Sequence, residues 1–219
     1  MRFLTLDIET LGLMHHLPLP PITCACLYDG TTKYQFVLYK IPEDEYKKNC
    51  TELLQLLDAA PYLAGFNAVR FDLPYIAQQL EVTKLRLGSW VAKCIDPFIG
   101  MKSMLNQTCK LQRLLDLNNL GSKTGCGTDA IVLAKAGKME ELLEYCMMDV
   151  LLTHELCCLD QIRTSERKGL KLLPGGHWEV CLFEPEKAPT MTDALLLNIV
   201  SMTVAAGASA GDAEYSDEN

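Results

Sequence analysis

The stretch "FLTLDIETLGL", residues 3–13, decides the fold because two acidic residues end its apolar run. The segment "RFLTL", residues 2–6, has the apolar composition of a buried central strand. Asp7 and Glu9 follow at once. Because side chains alternate across a strand, residues two positions apart lie on the same face. The two carboxylates are therefore expected to converge at the end of a core strand, where charge is costly to bury.

Two converging carboxylates repel each other, and burial increases the repulsion. A divalent cation relieves it, and oxygen ligands suit Mg²⁺ or Mn²⁺. Asp7 and Glu9 thus form a candidate metal site. The pattern alone leaves a second interpretation open, a solvated acidic strand end, because carboxylates are common on protein surfaces.

Length and charge limit the classes of protein to consider. The 219 residues predict a single domain, and a hydrophobic content of 49% is sufficient for a sizeable core. The formal net charge is −8, and the last nine residues carry four negative charges, so the remaining body carries −4. An acidic body argues against nucleic-acid binding through a broad basic surface. It does not exclude a nucleic-acid enzyme in which bound metal reverses the local charge.

Cysteines and apolar segments indicate the compartment. The ten cysteines include no C-x-x-C pair, which argues against a zinc knuckle. No apolar leader precedes Asp7, so we expect no secretory signal and reduced thiols in the cytoplasm or nucleus. The uncharged residues 194–210 are fewer than the ~20 residues of a membrane span and include polar side chains. We therefore expect a core-packed helix there and no membrane contact.

Apolar runs and turn residues predict a layered α/β domain with a mixed sheet. Strands are predicted at residues 2–6, 22–30, 33–41, 62–66, 90–96 and 177–184. Helices are predicted at residues 51–60 (with Thr51 as N-cap), 72–80, 108–121, 194–210 and, broken near Gly137, 128–162. We expect one domain over residues 1–204, with its motifs in residues 2–160, and an acidic, disordered tail over residues 205–219.

Two further acids lie in unusual surroundings. In "GFNAVRFDLPYI", residues 65–76, an apolar strand ends at Asn67 and Asp72 opens a helix, where an acid also has a structural use as a cap. In "EYCMMDVLLTHEL", residues 144–156, Tyr145 and Asp149 lie four apart and share one helix face. Their neighbours are mostly apolar, and an unpaired acid in a buried helix is expensive. Alone, Tyr145 would be interpreted as a half-buried core tyrosine.

The three segments, in this order, resemble the motifs of the DEDD family of 3′→5′ exonucleases. "LDIET" is similar to the first motif, and residues 65–76 are similar to the second motif as found in the proofreading domain of family B DNA polymerases. "YCMMDV" is similar to a third motif, Y-x-x-x-D; the sister subclass would need His where Glu144 stands, so the resemblance is to the tyrosine subclass, DEDDy. It spans about residues 2–160 and leaves no chain for the polymerase palm and fingers, so we expect a stand-alone domain.

The resemblance implies a ribonuclease H-like fold, α/β with a mixed five-stranded sheet flanked by helices. It implies hydrolysis of 3′-terminal phosphodiesters with two divalent cations, Mg²⁺ or Mn²⁺, and release of nucleoside 5′-monophosphates. The matching metal ligands and catalytic acids are Asp7, Glu9, Asp72 and Asp149. Tyr145 matches the residue that orients the attacking water, a safer role than general base for a phenol with a pKa near 10. Residues matching the substrate contacts are Thr10, Leu13 and Asn67.

The expected substrate is the 3′ end of single-stranded or frayed nucleic acid, with DNA preferred over RNA because the second motif has the polymerase form. RNA stays open, because the residues that would contact a 2′-hydroxyl cannot be located in the sequence. A non-catalytic nucleic-acid-binding module is the alternative from another class, and the presence of all four acids and Tyr145 argues against it. A replication or repair protein is a conceivable partner.

Overall fold

The computed structural model describes residues 2–12, 14–123 and 127–183, and its centre is a mixed five-stranded sheet. The strands are β1 Leu4–Thr10, β2 Ile22–Tyr28, β3 Lys33–Val37, β4 Leu63–Ala64 and β5 Cys94–Ile95. Their order in the sheet is β3-β2-β1-β4-β5. The first three strands pair antiparallel, whereas β4 runs parallel to β1 and β5 runs parallel to β4. The predicted mixed five-stranded sheet is confirmed.

Helices cover both faces of this sheet. They are α1 Glu43–Ala59, α2 Asp72–Gln79, α3 Lys84–Ala92, α4 Pro97–Leu105, α5 Leu111–Leu117, α6 Gly127–Ala136 and α7 Met139–Cys158. One core cluster joins β1 to α1, α2 and α3, and a second joins β2 to α6 and α7. The sheet is therefore the middle of three layers, and β1 at its centre is covered on both sides.

Alternation along β1 separates its core side chains from its acids. Leu4, Leu6 and Ile8 are buried in the cluster with α1 and α2. Each of these side chains contributes about 1.5–3 kcal/mol by leaving water. The intervening residues face α7, because Thr5 Oγ1 lies 2.8 Å from His154 Nδ1 and Asp7 Oδ2 lies 3.6 Å from Cys146 Sγ. The register that buries the leucines therefore presents the acids to α7.

Helices α3 and α4 were not predicted, and several predicted element boundaries were wrong, including those of the first helix and of the strand at Trp90. The first helix begins at Glu43, not at Thr51, because three acids of "EDE" favour the helix N-terminus. Thr51 lies inside the helix and donates its hydroxyl to the Lys47 carbonyl. The strand predicted to start at Trp90 begins only at Cys94, because α3 continues through Trp90. Trp90 is fully buried, and its indole N–H donates to Asp58 Oδ1 at 2.8 Å.

A second, antiparallel sheet follows α7, and only its last strand was predicted. Its strands are β6 Gln161–Arg163, β7 Lys168–Leu173 and β8 His177–Leu182, paired in that order. Ile162 and Leu170 are buried in a cluster with α4, α5 and the end of α7. A Cβ on Gly100 would lie 2.9 Å from the Trp178 ring, so the missing side chain lets β8 approach α4 closely.

The compact unit that contains all of these elements ends at Phe183. The predicted helix at residues 194–210, the domain limit at residue 204 and the predicted disordered tail at residues 205–219 lie outside the described residues. Among the helices that the structure describes, none is both long enough and apolar enough to cross a bilayer.

Candidate active site

Three of the four predicted acids come together where β1 faces α7. Each of Asp7, Glu9 and Asp149 offers a carboxylate oxygen, and these oxygens lie within 4.8 Å of one another. Asp7 and Glu9 are partly exposed, whereas Asp149 is 5% exposed. Strand alternation places the first two acids on one face, and the packing of α7 on that face adds the third.

Asp72 joins the same neighbourhood through β1. It is 3% exposed, and its Oδ1 accepts a hydrogen bond from the Ile8 N–H at 3.0 Å. Ile8 lies between the two acids of the strand. The side chain does not cap α2, because Phe71 is the N-cap residue and no side-chain cap bond forms there. The carboxylate is instead held against β1, beside Asp7.

The donor set fits a divalent cation. Asp149 Oδ1 is buried and has no hydrogen-bond partner among the residues that the structure describes. An orphaned, buried carboxylate oxygen is costly, and a cation would satisfy it. The neighbouring donors are carboxylates, which are the oxygen ligands that Mg²⁺ and Mn²⁺ prefer. Asp7, Glu9 and Asp149 are therefore the residues that would hold the ion.

Burial and mutual repulsion raise the pKa values of these acids. Burial raises the pKa of Asp7 well above its usual range, and the charges of Asp72 and Glu9 raise it further. Burial is also the main cause that raises the pKa of Glu9 to about 8 and that of Asp72 to about 7. Without a cation, the site therefore holds protons near neutral pH. A bound cation would replace them and return the carboxylates to their charged form.

Lys123 is a site residue that the sequence analysis missed. Its Nζ lies 2.5 Å from Asp149 Oδ2, and the Lys123 side chain is 24% exposed. Its backbone N–H donates to Gln112 Oε1 at 2.8 Å, which ties this loop to α5. Burial raises the pKa of Asp149, and the Lys123 ammonium counteracts that rise. The only sequence signal was a single lysine in a glycine-rich loop, without any periodicity that links it to α7.

Tyr145 lies one helical turn before Asp149 and is 7% exposed. Its ring belongs to the core cluster formed by β2, α6 and α7, and the Lys123 Nζ lies 5.9 Å from the ring centroid. The helical spacing places Tyr145 and Asp149 on one face of α7, and Lys123 lies near both side chains. The water-orienting role of the hydroxyl stays a prediction.

The loop after β4 is shaped by Asp96, which the sequence analysis also missed. Asn67 has a left-handed backbone, with φ of 65°, and donates its N–H to Asp96 Oδ1 at 3.0 Å. Asp96 Oδ2 accepts from the Val69 N–H, and Asp96 Oδ1 also accepts from the Phe98 N–H at the start of α4. Asn67 Oδ1 is buried without a hydrogen-bond partner among the described residues. Its predicted contact with substrate stays untested.

Gly65 lets this loop approach β1. A Cβ there would lie 2.5 Å from Ala68 Cβ and 3.3 Å from the Leu6 carbonyl oxygen, so a side chain has no room. The matching glycine of the second motif is therefore explained by close packing between the loop and β1.

Thr10 and Leu13, two of the predicted substrate contacts, lie at the end of β1 and just after it. The Thr10 hydroxyl donates to the Gly12 carbonyl at 2.6 Å, and the Tyr75 hydroxyl donates to the Pro20 carbonyl at 2.7 Å. Both side chains thus stabilise the loop after β1, and the expected contact through the Thr10 backbone stays a prediction. Leu13 lies outside the described residues.

Known proteins with a similar sequence pattern or a similar structure share the fold described above. A family model described as RNase_H superfamily matches residues 4–121, which include Asp7, Glu9 and Asp72 but not Tyr145 or Asp149. No curated protein matches the chain. A family B DNA polymerase from the hyperthermophilic archaeon Pyrobaculum calidifontis superposes with a TM-score of 0.54 at 17% identity, covering 72% of this chain and 24% of the polymerase.

RNase D from Trypanosoma brucei is also similar, with a TM-score of 0.48 at 17% identity over 70% of this chain and 55% of that protein. The chain thus spans about a quarter of the polymerase and about half of RNase D. At this identity the likeness to the polymerase is one of fold. The family match covers more than half of the 219 residues and includes the central strand with its two acids. The chain therefore belongs to the RNase H superfamily.

Proposed function

We propose that the protein is a metal-dependent 3′→5′ exonuclease that hydrolyses 3′-terminal phosphodiesters of single-stranded or frayed DNA and releases nucleoside 5′-monophosphates. The observation that carries this proposal is the convergence of Asp7, Glu9 and Asp149 within 4.8 Å, with a buried Asp149 oxygen that lacks a partner among the described residues. Asp72 is the fourth acid of the site. Tyr145, one turn from Asp149, supports the tyrosine subclass.

Two divalent cations, Mg²⁺ or Mn²⁺, would supply an acidified water and charge stabilisation at the leaving 3′ oxygen. Asp7, Glu9 and Asp149 would hold them together with Asp72, whose carboxylate lies against β1 through the bond from the Ile8 N–H. The raised pKa values of the metal-free acids support this role, because burial and the neighbouring carboxylates disfavour negative charge there.

Tyr145 and Lys123 have distinct parts in the proposed reaction. The Tyr145 hydroxyl orients the attacking water, a role that needs no ionisation of the phenol. The Lys123 ammonium neutralises Asp149 in the free protein. With a cation held by Asp149, the Lys123 ammonium would contact the negatively charged scissile phosphate. Lys123 would thus pair with Asp149 in the free protein and with the phosphate in the substrate complex.

DNA is the proposed substrate because the second motif resembles that of the family B polymerases. RNA hydrolysis by the same site is the alternative, and a non-catalytic binding module is disfavoured because every acid of the proposed site is present. A replication or repair protein is the proposed class of partner.

The test is degradation of 5′-labelled DNA and RNA oligomers, single- and double-stranded, with Mg²⁺ or Mn²⁺. Shortening from the 3′ end that stops with EDTA is expected for DNA, together with its loss in Asp7→Ala. Asp44→Ala, an exposed acid of α1, is the matched control and should stay active. Persistence of activity in Asp7→Ala would refute the site, and shortening of RNA but not DNA would reverse the substrate assignment.

A further inference from the structure

Three buried cysteines meet in the layer between β2 and α7. The Sγ atoms of Cys24, Cys26 and Cys146 lie within 4.8 Å of one another, and all three residues are fully buried. Cys24 and Cys26 are two apart on β2, so strand alternation turns both toward α7, where Cys146 completes the group. All three are free thiols. We call them the thiol cluster.

The spacing of the thiol cluster suits a metal ion. Sulfurs that surround one ion at about 2.3 Å lie about 3.8–4.0 Å apart in tetrahedral or trigonal geometry. The observed limit of 4.8 Å is within an ångström of that arrangement. Soft thiolate donors select Zn²⁺, Cd²⁺ and Cu⁺ over Mg²⁺ and Mn²⁺. The thiol cluster and the carboxylate site therefore differ in the class of ion that they would take.

The thiol cluster also touches the carboxylate site. Cys146 Sγ lies 3.5 Å from the Asp7 carbonyl oxygen and 3.6 Å from Asp7 Oδ2, so the thiol donates a weak hydrogen bond to the residue at the centre of the acids. In the pairing of β1 with β2, Asp7 lies opposite Cys26 and Glu9 lies opposite Cys24. Each of the two acids therefore has a cysteine of the thiol cluster as its cross-strand neighbour.

We propose that the thiol cluster binds one thiophilic d¹⁰ ion and that this binding inhibits the carboxylate site. On binding, each thiol releases its proton to solvent and forms one metal–sulfur bond, with no change of oxidation state. Cys146 then has no proton to donate to Asp7, and its sulfur is drawn toward β2. The inhibition rests on the proposed nuclease function, whereas the ion binding does not.

Ion binding is tested by adding either Cd²⁺ or Cu⁺ to the reduced full chain. Excess Mg²⁺ is present, so that the carboxylates are already occupied. Wild type should bind one ion at the thiol cluster, with an ultraviolet thiolate-to-metal charge-transfer band. Cys26→Ala and Cys146→Ala should lose that band. Cys50→Ala, at a buried thiol packed in another cluster, should keep it. Absence of the band in wild type, or its retention in both cluster variants, would overturn the proposal. The three cysteines would then be core residues that bind no ion.

X-ray absorption on the wild-type complex tests the metal ligands directly, so its result does not depend on whether the cysteine variants fold. Three sulfur neighbours are expected, at about 2.3 Å when the bound ion is Zn²⁺, and a shell of oxygen or nitrogen neighbours would contradict the assignment. The activity arm compares oligomer cleavage in Mg²⁺ with and without Cd²⁺. Wild type should be inhibited, and Cys26→Ala should lose that sensitivity. Equal inhibition of both proteins would overturn the coupling to the carboxylates. A protein without nuclease activity would refute the proposed function yet leave the binding arm intact.

Discussion

Lys123 Nζ lies 2.5 Å from Asp149 Oδ2, so an ammonium neutralises a buried acid of the candidate metal site. The pair is largely shielded from solvent, because the two side chains are 24% and 7% exposed. An ion pair in such surroundings is stronger than one at the surface. Lys123 and a divalent cation therefore compete for Asp149, and the other Asp149 oxygen is left for the cation.

Lys123→Met should separate the two roles of this lysine. Removing the positive charge favours a cation at Asp149, so we expect Mn²⁺ to bind about tenfold more tightly in the variant. The cleavage rate at saturating metal should nevertheless fall by about tenfold or more, because the phosphate loses a positive partner. Calorimetric titration and single-turnover cleavage measure the two effects.

Lys135→Met, at an exposed position of α6, is the control for both measurements and should leave them unchanged. Weaker Mn²⁺ binding in Lys123→Met would mean that the lysine organises the metal ligands, which is contrary to the competition described above.

The stability of the metal-free protein should fall as the pH rises from about 4.5 to about 8. The pKa of Glu9 is raised to about 8 and that of Asp72 to about 7 in the folded state, chiefly by burial. Between the usual pKa values and these raised ones, the folded state binds more protons than the unfolded chain. The free energy of unfolding therefore decreases with pH across this window.

Thermal unfolding in EDTA at several pH values measures this slope. Glu9→Gln cannot ionise at this position, so its unfolding temperature should decline less steeply than that of wild type. Mn²⁺ should raise the wild-type unfolding temperature more at about pH 8 than at about pH 5, because ions and protons compete for the same oxygens. A stability that rises with pH in EDTA would show that the acids are ionised and paired within the protein.

The parts of the site that could be predicted from the sequence are those whose residues lie within one strand or one helix. Strand alternation placed Asp7 and Glu9 on one face, and helical spacing placed Tyr145 and Asp149 on another. Each pair lies within a single strand or helix, so its shared face follows directly from the spacing of the two residues in the sequence. The match of the three motifs then predicted that these elements meet. The central sheet followed from the same periodicities.

Residues that depend on packing between distant segments were not predictable. Lys123 reaches Asp149 from a loop, and Asp96 reaches Asn67 across 29 positions of the chain. The thiol cluster forms only because α7 packs on β2, which is more than a hundred residues earlier. Trp90 was assigned to a strand by its apolar neighbours, whereas tertiary packing and the bond to Asp58 keep it helical. In each case a contact between separate elements decided the outcome.

Tyr145→Phe should slow cleavage about ten- to a hundredfold while metal binding is retained. The substitution removes only the hydroxyl, and the ring keeps its place in the cluster of β2, α6 and α7. Cleavage rates at saturating Mg²⁺ and Mn²⁺ titrations measure the two properties. The control is Tyr39→Phe, outside the acidic site, which should match wild type in both. Loss of metal binding in Tyr145→Phe would contradict the water-orienting role.

Asp96→Asn should destabilise the protein and impair the loop that carries Asn67. Asp96 is 1% exposed, and its two oxygens accept the N–H groups of Asn67 and Val69. An asparagine replaces one acceptor with an amide donor, so a buried N–H group is left unpaired at a cost of about 2 kcal/mol. Denaturant unfolding should show this loss, and the cleavage rate should fall because the loop relaxes away from β1.

Asp29→Asn is the matched control, because Asp29 also accepts N–H groups, from Thr31 and Thr32, but in an exposed turn. Water replaces the lost bond there, so its cost should stay below about 1 kcal/mol. Asp29→Asn should therefore leave cleavage intact. Equal stability and cleavage rate in Asp96→Asn and Asp29→Asn would mean that the backbone N–H bonds to Asp96 do not hold the Asn67 loop. The shape of that loop would then have to come from the close packing of Gly65 on Leu6.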